Sequence, residues 1–184
     1  MAETVHRCSW AKGPLMEAYH DNEWGRPTRD EQKLYEMLLL EAFQAGLSWY
    51  VVWSKRDAFL RAFDGFDAHK IAAYGQDKID ALMKAEGIIH CRRKIEAAVG
   101  NARVFLEIER QYGSFSAYLY AFTPKGIPVV NREKQPCVTS PLSDAISADL
   151  RRRGMKYMGS VTVYSYLQAV GVVNDHEPGC FLHA

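Results

Sequence analysis

The chain has 184 residues, 48% hydrophobic and 24% charged, with a formal net charge of +1. That balance suits one soluble globular domain with a sizeable core and excludes a strongly basic nucleic-acid binder, so any contact with DNA has to come from local patches. No run of ~18 apolar residues spans a membrane and residues 1–8 hold no apolar signal core, so the expected setting is cytoplasmic and reducing, with the four cysteines as thiols or metal ligands.

In chain order the pattern reads as helices. Thr28 to Glu31 resembles a capping box after Pro27, opening a helix with Leu34, Leu38 and Ala45 on one face that stops at Gly46. Ser48 caps a helix running through Trp53 and Phe59 to the Asp64-Gly65 turn, and Asp67 and Asp77 start two short ones ending at Gly75 and Gly87. A long amphipathic helix follows, with Ile95, Ala98, Val99, Ala102, Phe105 and Leu106 at helical spacing, and stops at Gly113. Ser116 to Phe122 forms another helix. Residues 123–142 hold four of the seven prolines and read as a loop, with Ile127 to Val130 the one strand candidate. Helices over Ser143 to Arg153 and Ser160 to Val170 then flank a turn from Gly154 to Gly159. The fold class expected is all-α.

Three groups of residues carry chemistry. Cys8 and His20 stand near one end of the chain, and His176 and Cys180 near the other, with Pro178 and Gly179 turning the backbone between the second pair. Two cysteines and two histidines are a standard tetrahedral zinc set, closed to catalysis; two core cysteines beside unrelated surface histidines fit the same spacing. Glu41 falls seven residues after Leu34 and three after Leu38, on the apolar side of its helix, with Trp10, Tyr19, Trp24, Trp49 and Tyr50 nearby in sequence. A flat pocket of rings with one carboxylate suits a flipped nucleobase, read by stacking and by hydrogen bonds along its edge. The other reading is a core-edge glutamate bridged to an arginine among packing aromatics. The third group is Arg151-Arg-Arg-Gly-Met-Lys-Tyr-Met-Gly159, a basic inter-helix turn whose amides suit a phosphate, or whose arginines complement a helix dipole. A second basic run, Cys91 to Lys94, opens the long helix, where the dipole disfavours it.

Five stretches together resemble the 3-methyladenine DNA glycosylase I family: Ala18-Tyr-His-Asp-Asn-Glu-Trp-Gly25, Gln44-Ala-Gly-Leu-Ser-Trp49, Glu86-Gly-Ile-Ile89, Gly100-Asn-Ala-Arg103, and Tyr164-Ser-Tyr-Leu-Gln168 continuing to Val173-Asn-Asp-His176. The resemblance covers nearly the whole chain. It implies one helix-hairpin-helix glycosylase domain over residues 1–184, with the hairpin unit at about 143–170 and a structural zinc on Cys8, His20, His176 and Cys180 joining the termini. It also implies a base pocket of Trp10, Tyr19, Trp24, Glu41 and Trp49, with Glu41 acting in catalysis. DNA contacts fall to Leu47, Gly154, Lys156 and Gly159, Leu47 being either a wedge for the space left by an extruded base or core packing. The partners implied are duplex DNA carrying alkylated adenine and the free base 3-methyladenine as product, with no membrane and a monomeric protein. The activity implied is hydrolysis of the N-glycosidic bond without strand nicking, and the alternative is a non-catalytic damaged-DNA binding module on the same scaffold. Asp175 either orients the neighbouring zinc histidine or takes the place of the superfamily aspartate. The chain departs from the family where Ala42 and Phe43, rather than Gly and Gln, follow Glu41, and its hairpin is not a Gly-x-Gly turn.

Overall fold

The computed structural model of the protein describes residues 5–131 and 137–183. The middle of the proline-rich loop, 132–136, lies outside the described residues, as do 1–4 of the segment read for a signal core. The helices are α1 (Pro14–Asn22), α2 (Glu31–Gln44), α3 (Trp49–Trp53), α4 (Arg56–Ala62), α5 (Ala68–Ala72), α6 (Gln76–Leu82), α7 (Arg92–Tyr112), α8 (Phe115–Ala121), α9 (Pro141–Arg152) and α10 (Ser160–Ala169). One addition to the all-helical expectation is a pair of two-residue strands, β1 (Val129–Val130) and β2 (Val173–Asn174), which run parallel with Val129 opposite Val173. The β1 strand falls inside the only stretch with a strand pattern.

The fold is organised around α2. It packs against α3, α7, α8 and α10, and every residue from Leu34 to Phe43 is buried. A helix surrounded in this way has no solvent face, so its apolar residues cover the whole circumference rather than the single stripe expected. Its N-cap also lies two residues beyond the expected one. Asp30, not Thr28, accepts the Lys33 amide, while Thr28 Oγ1 accepts from the Asp30 amide. Glu31 is then free to reach across to α8, where its two oxygens accept the amides of Phe115 and Ser116, orphan donors of that helix's first turn. At the other end of α2, the buried Lys94 donates from Nζ to the carbonyls of Phe43 and Ala45 at 2.7 and 2.6 Å. A cation at a helix C-terminus is favourable, which explains a basic residue in the first turn of α7: it serves α2.

Two other boundaries differ. The helix expected from Ser48 to Phe63 is two, α3 and α4, broken at Ser54 and Lys55, and α1 is a helix not expected at all, with Gly13 and Pro14 at its start and no side-chain cap. The starts of α6, α8 and α9 shift by one or two residues with the caps actually used, Gly75, Ser114 and Ser140, while α5 and α6 end at Ala72 and Leu82, three and five residues before the glycines expected to end them.

The α9–α10 pair is tied to α7 through Asn101, which is 1% exposed. Its Nδ2 donates to the Lys156 carbonyl at 3.0 Å and its Oδ1 accepts the Lys156 amide at 2.8 Å. One side chain thus satisfies both backbone groups of a residue in the turn. Asn101→Leu keeps the volume but strands both groups, so chemical denaturation is expected to show a loss of about 2–4 kcal/mol. A loss below ~0.5 kcal/mol would mean that the turn is held by other contacts.

Candidate active site

A cavity of about 440 Å³ opens between α1, α2, α3 and α10, lined by Trp10, Lys12, Met16, Tyr19, Trp24, Glu41, Gln44, Trp49, Tyr50, Ser165 and Gln168. All five residues expected to form a base pocket are in it. Lys12, Met16, Gln44, Ser165 and Gln168 were not anticipated there, although Gln44, Ser165 and Gln168 fall inside the stretches that carry the family resemblance.

The floor of the cavity holds an unusual polar atom. Glu41 is 3% exposed, and its Oε2 is buried with no hydrogen-bond partner. Burial pushes its carboxyl up to about 8. The reading of Glu41 as a core-edge residue bridged to an arginine fits instead Glu36, the other buried glutamate of the same helix. Glu36 is paired with Arg56 and with Lys33. A second orphan lines the same cavity, the indole Nε1 of Trp49. Buried polar groups are nearly always satisfied, so an acceptor-capable carboxyl and an N–H donor left together point to a polar, flat ligand. The rings are close: Trp10 lies edge-on to Trp24 at 5.0 Å, Tyr19 sits 6.1 Å from Trp10 and 5.7 Å from Trp49. The departure at Ala42 and Phe43 leaves the cavity untouched, because Phe43 points into the core against Phe59 and Phe63.

Directly behind the cavity, Cys8, His20, His176 and Cys180 come together, with their ligand atoms within 4.8 Å of one another. Sγ of Cys8 lies 3.5 Å from Nδ1 of His176, and Sγ of Cys180 lies 3.4 Å from Nε2 of His20 and 3.5 Å from Nδ1 of His176. In a tetrahedral zinc site with bonds of about 2.3 Å to sulfur and 2.0 Å to nitrogen, sulfur and nitrogen ligands stand about 3.5 Å apart. The donor set and its spacing therefore fit such an ion. His20 Nδ1 lies 2.8 Å from Asp21 Oδ1, the contact that leaves Nε2 bare as a ligand. Without a cation, burial pushes the Cys8 thiol up to about 12 and His176 down to about 4. Trp24 packs edge-on against His176 at 4.6 Å, so cluster and cavity share a wall. Gly25 must be glycine here: its φ is +74°, and a Cβ would stand 2.5 Å from His176 Nε2.

The Asp175 carboxylate does not orient the neighbouring His176. It accepts from Asn131 Nδ2, Tyr164 hydroxyl and Gln168 Nε2, at 2.5, 3.0 and 2.6 Å. Its neighbour His176 bonds the backbone of Trp24 instead. Asp175 reaches the cavity only through Gln168.

The basic turn is less charged than its sequence. Arg152 and Arg153 are both paired with Asp149, one turn back on α9. Arg151 and Lys156 are exposed. The amides of Gly154, Met155 and Lys156 are spent on Arg151, Leu150 and Asn101, and Gly159 caps α10 without a side-chain bond. Of the second basic run, Arg92 is paired with Asp80 and Lys94 is buried. Leu47 and Tyr50 stand exposed, at 38% and 57%, on either side of Trp49 in the chain.

The sequence profile of the methyladenine glycosylase family matches residues 10–183. DNA-3-methyladenine glycosylase 1 of Escherichia coli (strain K12) is 42% identical over 180 residues, 96% of this chain and 96% of that protein. A crystal structure of 3-methyladenine DNA glycosylase I superimposes with a TM-score of 0.91 at 41% identity, covering 97% of this chain and 100% of that one. The Staphylococcus aureus enzyme of the same name, solved to explain its 3-methyladenine recognition, superimposes with a TM-score of 0.90 at 36% identity, over 95% of this chain and 94% of that one.

The raised pKa of Glu41 makes a prediction about stability. The protonated carboxyl contributes fully below its ordinary value, 4.5, and the contribution is lost as pH rises through about 8. Glu41→Gln, which cannot ionise, is expected to be more stable than the parent above about pH 8, by on the order of a few kcal/mol. The gap should close as pH falls toward 4.5. Parallel melting curves across that range check this; a constant difference would mean that Glu41 is not buried as described.

Proposed function

The chain belongs to the methyladenine glycosylase family, and from that membership we propose how its cavity works. The protein is a DNA repair enzyme that hydrolyses the N-glycosidic bond of 3-methyladenine in alkylated DNA. The observation that carries the site reading is the unpartnered Glu41 carboxyl in a cavity of aromatic rings.

Methylation at N3 makes the base cationic in the nucleotide, and thus already a good leaving group. Rupture of the bond between sugar and base returns the bonding electrons to the base, which departs neutral. Water adds to the sugar carbon and gives up a proton. The protein's task is to extrude the nucleotide, select the base and hold the sugar toward water. In this reading Tyr19 and Trp49 stack on the base faces, where a cationic ring gains an attraction that neutral adenine lacks. Glu41 accepts from the exocyclic amine, and its ionised form is favoured by the cation. Trp10 and Trp24 close the side of the pocket. Lys12, the amine that lines the cavity, stands exposed at its rim, in water and not in the apolar setting that activates a nucleophilic lysine. Hydrolysis without strand nicking follows.

The rest of the reading concerns how the duplex and the fold are held. Leu47, exposed beside the cavity, serves as the wedge for the vacated base position. Residues 143–170 act as the helix-hairpin-helix unit, with Lys156 and the Gly154–Gly159 turn against a phosphate. With three amides of that turn spent within the protein, the donors for that phosphate are those at the N-terminus of α10. The protein works as a single domain and as a monomer, within the cytoplasm. Cys8, His20, His176 and Cys180 hold a structural zinc, whose positive charge stabilises the two thiolates and fixes both chain ends.

Two experiments test this. Incubation with N-methylated duplex DNA, followed by chromatography of released bases, should yield 3-methyladenine. Glu41→Gln should be slower by about ten- to a hundredfold, the scale of a hydrogen bond to a charged group. Unchanged release by the variant would remove Glu41 from the site, and no release by the parent would favour the non-catalytic binding module. For the metal, elemental analysis should find about one zinc per chain, and Cys180→Ala should lower thermal stability more than activity per folded molecule. Protein purified without chelator and free of metal would contradict this.

A further inference from the structure

Tyr19 and Trp49 do not stand ready to receive a base between them. Their ring centroids are 5.7 Å apart and their planes meet at 43°. A planar base stacked on both sides needs two stacking steps of about 3.4 Å each, so about 7 Å between nearly parallel rings. One wall has to give. Tyr19 is 3% exposed, packs on Trp10, and is followed in α1 by His20 of the Cys/His cluster. Trp49 is half-buried, begins the five-residue α3, and carries the orphan indole N–H. Trp49 is the less constrained of the two walls.

Against it stands a third ring. Trp53, at the end of α3, is 4% exposed and packs on both walls: its centroid is 4.2 Å from that of Tyr19 and 5.5 Å from that of Trp49, the latter nearly parallel at 26°. Trp53 is itself held by charge. The Arg56 guanidinium lies over its ring at 4.6 Å and the Lys33 ammonium at 5.6 Å. Both cations are fastened by the same two carboxylates: Arg56 to Glu23 at 2.9 Å and to Glu36, Lys33 to Glu23 at 2.6 Å and to Glu36 at 3.2 Å. Four charges thus hold one indole, on which both walls of the cavity rest.

We propose that Trp53 is a positioning residue for base recognition: it fixes Tyr19, offers Trp49 a parallel surface to slide over, and so sets the width and tilt of the slot that takes the methylated purine. The Glu23–Lys33–Glu36–Arg56 network locks Trp53 in that role. The proposal rests on the reading of this cavity as the base pocket. It makes Trp53 a determinant of specificity without any contact to the base.

The test uses the full chain with Trp53→Leu, Trp53→Phe and Arg56→Met. For each, the affinity for free 3-methyladenine, KM and kcat on methylated duplex, the affinity for undamaged duplex and the melting temperature are measured. Trp53→Leu is expected to weaken free-base affinity and raise KM about tenfold, the scale of one aromatic pair. Trp53→Phe, which keeps a ring, should restore affinity to within about threefold. Arg56→Met leaves the indole in place without its lock and should weaken base affinity about threefold. Affinity for undamaged duplex should stay at the parent's level in all three. Parent-level base affinity in the variants that fold, with only the melting temperature lowered, would overturn the role of Trp53. Should Trp53→Leu fail to fold, Trp53→Phe and Arg56→Met carry the same decision. A parent protein that neither binds nor releases 3-methyladenine would instead overturn the pocket reading itself.

Discussion

The convergence of Cys8, His20, His176 and Cys180 is the constraint on which the cavity depends. Two cysteine–histidine pairs from opposite ends of the chain meet within 4.8 Å, and that meeting places α1. Tyr19 precedes His20 in the same helix, so seating His20 in the cluster also seats Tyr19 in the cavity wall. Trp24 stands between the two, edge-on to His176 on one side and to Trp10 on the other. The closure has further ties: Glu177 accepts both the amide and the hydroxyl of Ser9, and the Phe181 amide donates to the His6 carbonyl. Contacts between residues so distant in sequence carry a large entropic cost in the unfolded chain. That is where an ion held by all four residues, as proposed, would have its greatest effect.

The two buried glutamates of α2 show how one helix serves structure and recognition together. Glu36 is given two cations, and its charge is used to hold Trp53 from behind. Glu41, five residues further on, is given none. An ionised carboxyl in such a place is costly unless it is paired, and burial pushes the Glu41 carboxyl up to about 8. In the proposed reading a cationic base is the partner that Glu41 lacks. On that proposal selection needs no elaborate edge code, because neutral adenine would supply neither the charge that ionises Glu41 nor the full attraction of the rings.

Much of this was legible in the sequence, and what was not has identifiable causes. Ser48, Asp67 and Gly113 announced helix boundaries because capping chemistry is local. The start of α1 was silent, with Gly13 and Pro14 offering no polar cap, and nothing in Ser54-Lys55 signals the break between α3 and α4. Glu41 stood out as a carboxylate at an apolar position, but its lack of a partner is a property of three-dimensional surroundings. Spacing alone left the Cys/His set open, since its two halves lie some 160 residues apart. Charge was the least readable feature. Arg152, Arg153 and Lys94 look like a DNA-binding surface in sequence, yet they are spent on Asp149 and on the carbonyls ending α2. Gln168 and Ser165 were passed over because a polar residue on a helix carries no mark of facing a cavity.

The claim at the centre is that Glu41 waits, protonated and unpartnered, for a cationic purine. Carbon-13 NMR of the labelled glutamate carboxyls reads it directly, with Glu41 assigned by comparison with Glu41→Gln. In the free protein its carbon should titrate near 8, far above the other glutamates, and binding of duplex carrying a non-cleavable cationic N3-methylpurine should bring the midpoint down toward the ordinary carboxyl range. A Glu41 carboxyl that titrates near 4.5 in the free protein and does not respond to the methylated base would contradict the account.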